Sequence, residues 1–463
     1  MKFNICSLFA AAAVASSLLV PTRTSATRHQ RDDYSRNEFG IARTVSSNRF
    51  IDSTGPFFQN LGTNGRNCGT CHVENQGWSF SAEDVQRRFD ETGGQDPIFR
   101  TNDGSNSPNV DVRTLKDRRK AYSMLCTRGL IRVERPIPAG AQFDLVGVDD
   151  PYHYASAAGL SLFRRPLPAT NLRFISTVMW DGREVDPSNP MTIANTPETN
   201  RAILVASLAH QAVDATSGHG QGTVELTPEQ QQAIVDFELG LATAQVKDDN
   251  AGWLAVAGAL GGPENILGFP FYIGINDNIN DPQGPFNPDS MRLYESWDGV
   301  RDDGRASVAR GEALFNSKPI VISGVKGLND NPYFGSPPSF TGTCTSCHNT
   351  PQTGNHSLAI ALDIGLTDGS RRTPDMPLYT LRNLATGERV TTTDPGLALS
   401  TGKWKDIGRF KGPVLRGLGA RAPYFHNGFA PNLSAVLDFY TQRFGVVFTA
   451  RQRTDLIAFL RTL

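Results

Sequence analysis

The sequence has almost no net charge: 45 Lys and Arg stand against 46 Asp and Glu in 463 residues, a formal charge of −1. With no excess of either sign, attraction to nucleic acid or to an anionic membrane surface is disfavoured. Long apolar runs are also scarce. Beyond the N-terminal stretch no segment holds about 18 consecutive apolar residues, which excludes a membrane span in a mature chain. Hydrophobic residues make up only 39%, whereas 44 Gly and 29 Pro imply many turns and loops around a modest core. At about 150 residues per domain, the length predicts two or three domains. Cysteine is the scarcest informative residue, with six in the chain.

The first of these, Cys6, lies in a stretch that begins with Lys2, continues as an apolar run from Ile5 to Val20 and ends in the small residues Thr24, Ser25 and Ala26. This is the pattern of a secretory signal peptide, residues 1–26, and it predicts a periplasmic or secreted protein. Residues 27–45 are polar and predict a flexible leader.

An exported protein ordinarily pairs its cysteines as disulfides. Four of the remaining five are arranged otherwise, as Cys68-Gly69-Thr70-Cys71-His72 and Cys344-Thr345-Ser346-Cys347-His348. Cys-x-x-Cys-His is the attachment pattern of c-type haem: two thiols three positions apart reach the two vinyl groups of one porphyrin, and the adjacent imidazole falls under the iron. From the chain's own frequencies about 0.001 such matches are expected by chance. A zinc knuckle would need four ligands clustered together, and a redox Cys-x-x-Cys would need neither histidine. Two covalently bound haem c groups are therefore expected, with His72 and His348 on the irons. Cys126 has no evident partner and is expected to be a buried thiol.

Residues 46–245 form the expected N-terminal haem domain. Its closing helix is marked by Thr227 as cap, Pro228 in the first turn, Gln230 completing a capping box, and an apolar stripe of Ala233, Ile234, Phe237 and Leu241. Residues 246–304 are rich in Gly, Asn, Asp and Pro yet keep Trp253, Phe269, Phe271, Tyr272 and Trp297, which predicts an ordered linker or insertion. Residues 305–463 form the C-terminal haem domain, with a helix from Ala306 to Phe315 and a last helix that sets Leu456, Phe459, Leu460 and Leu463 on one face. No strand pattern recurs. The expected fold is mainly α, with two cytochrome c-like haem domains, long loops and an insertion between them.

The first haem motif, Met179-Trp180-Asp181-Gly182-Arg183, the second haem motif and Ala422-Pro423-Tyr424-Phe425-His426-Asn427-Gly428 follow one another along the chain. That combination resembles the bacterial dihaem cytochrome c peroxidase superfamily, which includes the MauG-type enzymes. The resemblance implies an N-terminal haem that meets peroxide and a C-terminal haem that passes electrons. It places Trp180 between the haems as a relay and His426 close to a haem without ligating iron. The distal ligand of the C-terminal haem is a methionine in the peroxidases and a tyrosine in the MauG type, and Tyr440 stands at that position. A phenolate lowers the iron potential, whereas a thioether raises it. On a helix Tyr440 shares a face with Leu433, Val436 and Leu437, so it points inward whether it binds iron or packs in the core. Met376, the one methionine after the second motif, is the alternative ligand, and His356 a further outsider.

The same resemblance shows departures. Between Val73 and Arg100 there is no histidine to cap the resting N-terminal haem, and position 88 is arginine. The family's catalytic glutamate falls on Asn200. Glu184, Glu198, His210, Gln211 and His219 are the nearby candidates, and His210, Gln211 and His219 around Asp214 offer two imidazoles that titrate near neutrality. His219, in Ser217-Gly218-His219-Gly220, is the favoured distal acid/base, with Glu198 and Gln211 as further catalytic candidates. The family's calcium ligand is replaced within Arg164-Arg165-Pro166-Leu167-Pro168. A guanidinium cannot coordinate calcium, so a calcium ion is doubtful, and Arg165 is expected to replace it electrostatically or to pair with haem propionates. The functional expectation is an exported dihaem peroxidase that reduces hydrogen peroxide with electrons from a small redox protein, a c-type cytochrome or a cupredoxin. The alternatives are oxidation of an organic or protein substrate, as in MauG-type enzymes and dihaem rubber oxygenases, and plain dihaem electron transfer. A homodimer is left open.

Overall fold

The computed structural model describes Met1 and residues 34–192, 194–269 and 289–463. The expected signal peptide, the leader up to residue 33, and residues 270–288 with Phe271 and Tyr272 lie outside the described residues.

Seven of the ten helices among the described residues start at a side-chain cap. In chain order they are α1 (Ala82–Thr92), α2 (Leu115–Ala121), α3 (Ser123–Arg128), α4 (Pro197–Gly218) and α5 (Pro228–Gly240). They continue with α6 (Pro263–Gly268), α7 (Asp303–Ser317), α8 (Ala398–Thr401), α9 (Leu433–Phe444) and α10 (Ala450–Arg461). Thr196 caps α4 ahead of Pro197, and Thr227 caps α5 with Gln230 in a reciprocal box. Thr449 and Gln452 do the same for α10. The stripe of α5 buries Ile234 and half-buries Phe237, while Ala233 faces solvent.

The mainly α expectation does not hold. Helix makes up 34% and strand 17% of the described residues. The strands are β1 (Tyr34–Asn37), β2 (Gly40–Ser46), β3 (Ile131–Arg135), β4 (Phe143–Asp149), β5 (Leu160–Arg164), β6 (Leu241–Asp248) and β7 (Gly252–Trp253). They continue with β8 (Ile320–Ser323), β9 (Ser339–Gly342), β10 (Ala361–Leu362), β11 (Leu378–Asn383), β12 (Arg389–Thr392) and β13 (Phe410–Lys411). One sheet has the order β1-β2-β6-β7 and another β12-β11-β4, and three further pairs are β3-β5, β8-β9 and β10-β13. The strands escape a sequence reading because they are short and because the inner ones are covered on both faces. All five residues of β5 and seven of the eight in β6 are buried, so no apolar–polar alternation marks them.

Residues 34–45, within the stretch expected as a leader, form β1 and most of β2, and β2 pairs along β6. The boundary expected at residue 245 falls inside β6. From residue 34 onward the described residues form one unit, because distant segments pair: β4 joins β11. The largest buried cluster packs Met291, Tyr294 and Trp297 against Phe315 of α7, Leu433 and Leu437 of α9, and Phe459 of α10.

Candidate functional site

The two Cys-x-x-Cys-His segments fold alike. Cys68–Thr70 and Cys344–Ser346 each form a single 3-10 turn. His72 N donates to the Cys68 carbonyl at 2.9 Å and His348 N to the Cys344 carbonyl at 3.1 Å. The Thr70 and Ser346 hydroxyls accept from the Asn67 and Thr343 backbone amides, each at 3.1 Å. Each imidazole then rests its Nδ1 on a main-chain carbonyl, His72 on Trp78 at 3.0 Å and His348 on Gly354 at 2.7 Å. A carbonyl partner fixes the proton on Nδ1 and leaves the Nε2 lone pair for a metal. Burial lowers the pKa of both rings, that of His348 to about 4, so the neutral ligand form prevails. Burial also pushes the thiols up, Cys68, Cys344 and Cys347 to about 12 and Cys71 to about 11.

Cys68, Cys71 and His72 line a cleft that encloses about 1590 Å³ of empty space, part of it open to solvent. Its walls are mostly apolar, from Leu61, Pro166, Leu172, Ile175, Val178, Leu208, Ala212, Ala215 and Ile234. Four expected residues also meet there: Trp180, Gln211, His219 and Arg165. The helix α4 supplies Gln211 from its middle, and His219 follows its last residue. Glu198 stands exposed in the first turn of α4 and does not line the cleft. His210 points out of it, towards Glu184.

Three further cleft residues fall outside the expected site. Asp103 is buried and accepts from the buried Arg66, and its Oδ2 lies 2.5 Å from His219 Nδ1. Burial works to raise Asp103, but Arg66 and His219 outweigh it and hold the carboxyl below its usual range. Glu238, on the inner face of α5, is only 6% exposed, and its Oε2 has no hydrogen-bond partner. Lys411 is also buried. Lys411, Arg416 and Arg421 form no ion pair with any carboxylate among the described residues, and burial depresses each cation, Lys411 to about 8.

These features fit a haem c. An apolar slot bordered by two thiols, a neutral imidazole and buried cations without acidic partners matches a porphyrin that carries anionic propionates. At the second motif, Cys344 and Cys347 pack beside Tyr440, Phe444 and Phe448 under Ile320, Ile322 and Val325. Tyr440 is half-buried and stacks on Phe444, with ring centroids 6.1 Å apart. Burial together with the neighbouring Cys347 and Cys344 raises its phenol pKa. Met376 packs elsewhere, with Met124, Leu130 and Phe163. His356 is buried near His348.

Trp180 lines the first cleft. Its Nε1 donates to the Arg165 carbonyl at 2.7 Å, and its ring meets His426 edge-on at 6.1 Å. His426 in turn stacks on Phe410 at 4.0 Å. The run that carries Trp180 is fixed by Asp181, which takes an ion pair from Arg164 at 2.7 Å, while Arg164 also grips Asp394 at 2.7 Å.

Residues 409–446, which span the Pro-Tyr-Phe-His run and Tyr440, match a family model described as RoxA-like, cytochrome c-like. The cytochrome-c peroxidase IdrP1 of Pseudomonas sp. (strain SCT) is 32% identical over 231 residues, 42% of this chain and 54% of that protein. The cytochrome-c peroxidase IdrP1 of Denitromonas iodatirespirans is 28% identical over 139 residues, 26% of this chain and 36% of its own. The chain thus spans between about a third and about a half of the curated relatives it matches. A solved MauG-like protein associated with microbial copper homeostasis aligns with 67% of this chain and 78% of its own, at 14% identity and a TM-score of 0.29. No helix among the described residues is long and apolar enough to cross a membrane. The relatives, which are named as peroxidases and so as oxidoreductases, bear out what the motifs imply: this chain resembles the bacterial dihaem cytochrome c peroxidase and MauG superfamily and contains a cytochrome c-like segment.

Proposed function

We propose that the protein is an exported dihaem c-type cytochrome peroxidase that reduces hydrogen peroxide with electrons delivered through the C-terminal haem by a small redox protein. The two haem-binding motifs are Cys68–His72 and Cys344–His348. The observation that carries this reading is the cleft in which Cys68, Cys71 and His72 meet Trp180, Gln211 and the Asp103–His219 pair.

A haem at each motif supplies a redox-active iron that exchanges electrons singly. The rest belongs to the chain. Asp103, kept ionised by Arg66, holds the proton of His219 on Nδ1 and leaves Nε2 as the proton acceptor. Proton movement between peroxide oxygens needs one such group. The His219 side chain is 38% exposed, so it exchanges protons with solvent as well as with the cleft. Gln211 offers an amide donor at the same wall. Trp180, between the first cleft and His426, supplies an aromatic bridge.

Optical and EPR spectra of the resting holoprotein, followed by peroxide titration with and without a reduced donor, test the proposal. One high-spin haem and donor-dependent peroxide consumption are expected. Two low-spin haems that stay inert after partial reduction would sink it in favour of plain electron transfer.

A second reading, oxidation of an organic or protein substrate, is favoured by the place of Tyr440 beside Cys344 and Cys347. Tyr440→Phe is expected to change the spectrum of the C-terminal haem. An unchanged spectrum eliminates Tyr440 as a ligand and this reading loses its support.

A further inference from the structure

Helix α4 has two working faces. Gln211, Ala212 and Ala215 wall the haem cleft. His210 and Asp214, one helical turn apart, share the adjoining, exposed face. There they meet Glu184, which ends the Trp180–Glu184 run. His210 Nδ1 lies 2.6 Å from Glu184 Oε2, and one donor atom from each of Glu184, His210 and Asp214 lies within 4.8 Å of the other two.

The electrostatics are those of a site short of a cation. Two carboxylates converge on one imidazole. Glu184 is buried, and Arg183 takes its other oxygen, with Nε 3.3 Å from Oε1. Asp214 forms no ion pair among the described residues. Burial and Asp214 both act to raise the Glu184 carboxyl, and Arg183 and His210 only partly offset them. His210, with 62% of its side chain exposed, leaves the site open to solvent. One imidazole nitrogen and two carboxylate oxygens suit a borderline divalent metal, and three protein ligands leave room for water. Calcium and magnesium favour all-oxygen ligand sets, so the imidazole disfavours them.

We propose that Glu184, His210 and Asp214 form a solvent-facing binding site for a divalent transition-metal ion of the zinc class, separate from the haem cleft. Glu184 stands four residues from Trp180 and His210 is the neighbour of Gln211, so an ion held here braces the Trp180 run against the helix that walls the cleft. The site does not depend on which oxidation the protein performs.

Calorimetric titration of chelator-treated holoprotein with Zn²⁺ tests it, with Ca²⁺ and Mg²⁺ titrated in parallel. One saturable Zn²⁺ per chain is expected, weakened at least about tenfold in His210→Ala and in Asp214→Asn, with no saturable Ca²⁺ or Mg²⁺. Both substitutions are at exposed positions, so the fold is retained. Zn²⁺ should also raise the thermal midpoint of the wild type and not of the two variants. Equal Zn²⁺ binding in all three proteins, no saturable binding in the wild type, or Ca²⁺ binding as tight as Zn²⁺ would each overturn the site and leave His210–Glu184 as a plain hydrogen bond.

Discussion

Glu238 is the residue at which burial and chemistry are most opposed. Its carboxyl lines the cleft with an unpartnered oxygen, and burial alone lifts its pKa to about 8. An unfolded glutamate titrates near about 4.3. The folded state therefore binds this proton more tightly, so the stability it contributes is complete below about pH 4 and is lost as the pH rises towards 8. Glu238→Gln keeps the shape and cannot ionise. Between about pH 5 and 8 the wild type should lose a few kcal/mol relative to this variant, measured by denaturant unfolding at a series of pH values. Parallel curves would refute the shift. The carboxyl was legible in part: Ile234 and Glu238 are four apart on α5, so a buried Ile234 puts Glu238 on the inner face. Asp103 was not. Its partner His219 is 116 positions away in sequence, and Asn102-Asp103-Gly104 carries only the signal of a turn.

At the level of elements, the caps were readable and the close approaches were not. Thr227 with Gln230 predicts the start of α5 correctly, and Thr227→Ala should cost about 1 kcal/mol in chemical denaturation. The helices α7 and α10 meet at a glycine that no propensity explains. A Cβ on Gly311 would stand 2.0 Å from the Asp455 carbonyl oxygen and 2.7 Å from the Phe459 Cβ. Gly311→Ala, favourable for an isolated helix, should therefore force the pair apart and cost about 1–3 kcal/mol or more, seen as a lower thermal midpoint. An unchanged midpoint would show that the crossing gives way freely. The strands were missed for the same reason as this contact. The pairing of β4 with β11 joins residues more than two hundred positions apart, and β6 alternates nothing because both its faces are covered. Covalent chemistry, by contrast, is local, which is why both Cys-x-x-Cys-His turns could be located before any fold was known.

For the whole molecule, the Arg165 guanidinium ties distant segments together through their backbone carbonyls. Its guanidinium donates to the carbonyls of Phe80 at 2.5 Å, Gly129 at 3.0 Å, Arg421 at 3.1 Å and Arg128 at 3.3 Å. Its backbone N donates to the His426 carbonyl at 2.6 Å, and its own carbonyl accepts from Trp180. Segments from both halves of the chain thus converge on one side chain. Converging carbonyls are what a hard ion would gather, but here the donors of a fixed cation already occupy them, and Arg421 adds a second positive charge. Two consequences follow at this scale. Added calcium, or its removal by a chelator, should leave the thermal midpoint of the holoprotein unchanged. Arg165→Met should lower it steeply, because a buried carbonyl stripped of its donor costs about 1–3 kcal/mol and the bonds to Phe80 and Gly129 are both buried. Arg165→Lys should recover only part of the loss, since an ammonium has three donors and no planar fork to span four carbonyls. A calcium-dependent rise in the wild-type midpoint would show instead that an ion shares this junction, and the guanidinium would then be a neighbour of the cation site rather than its substitute.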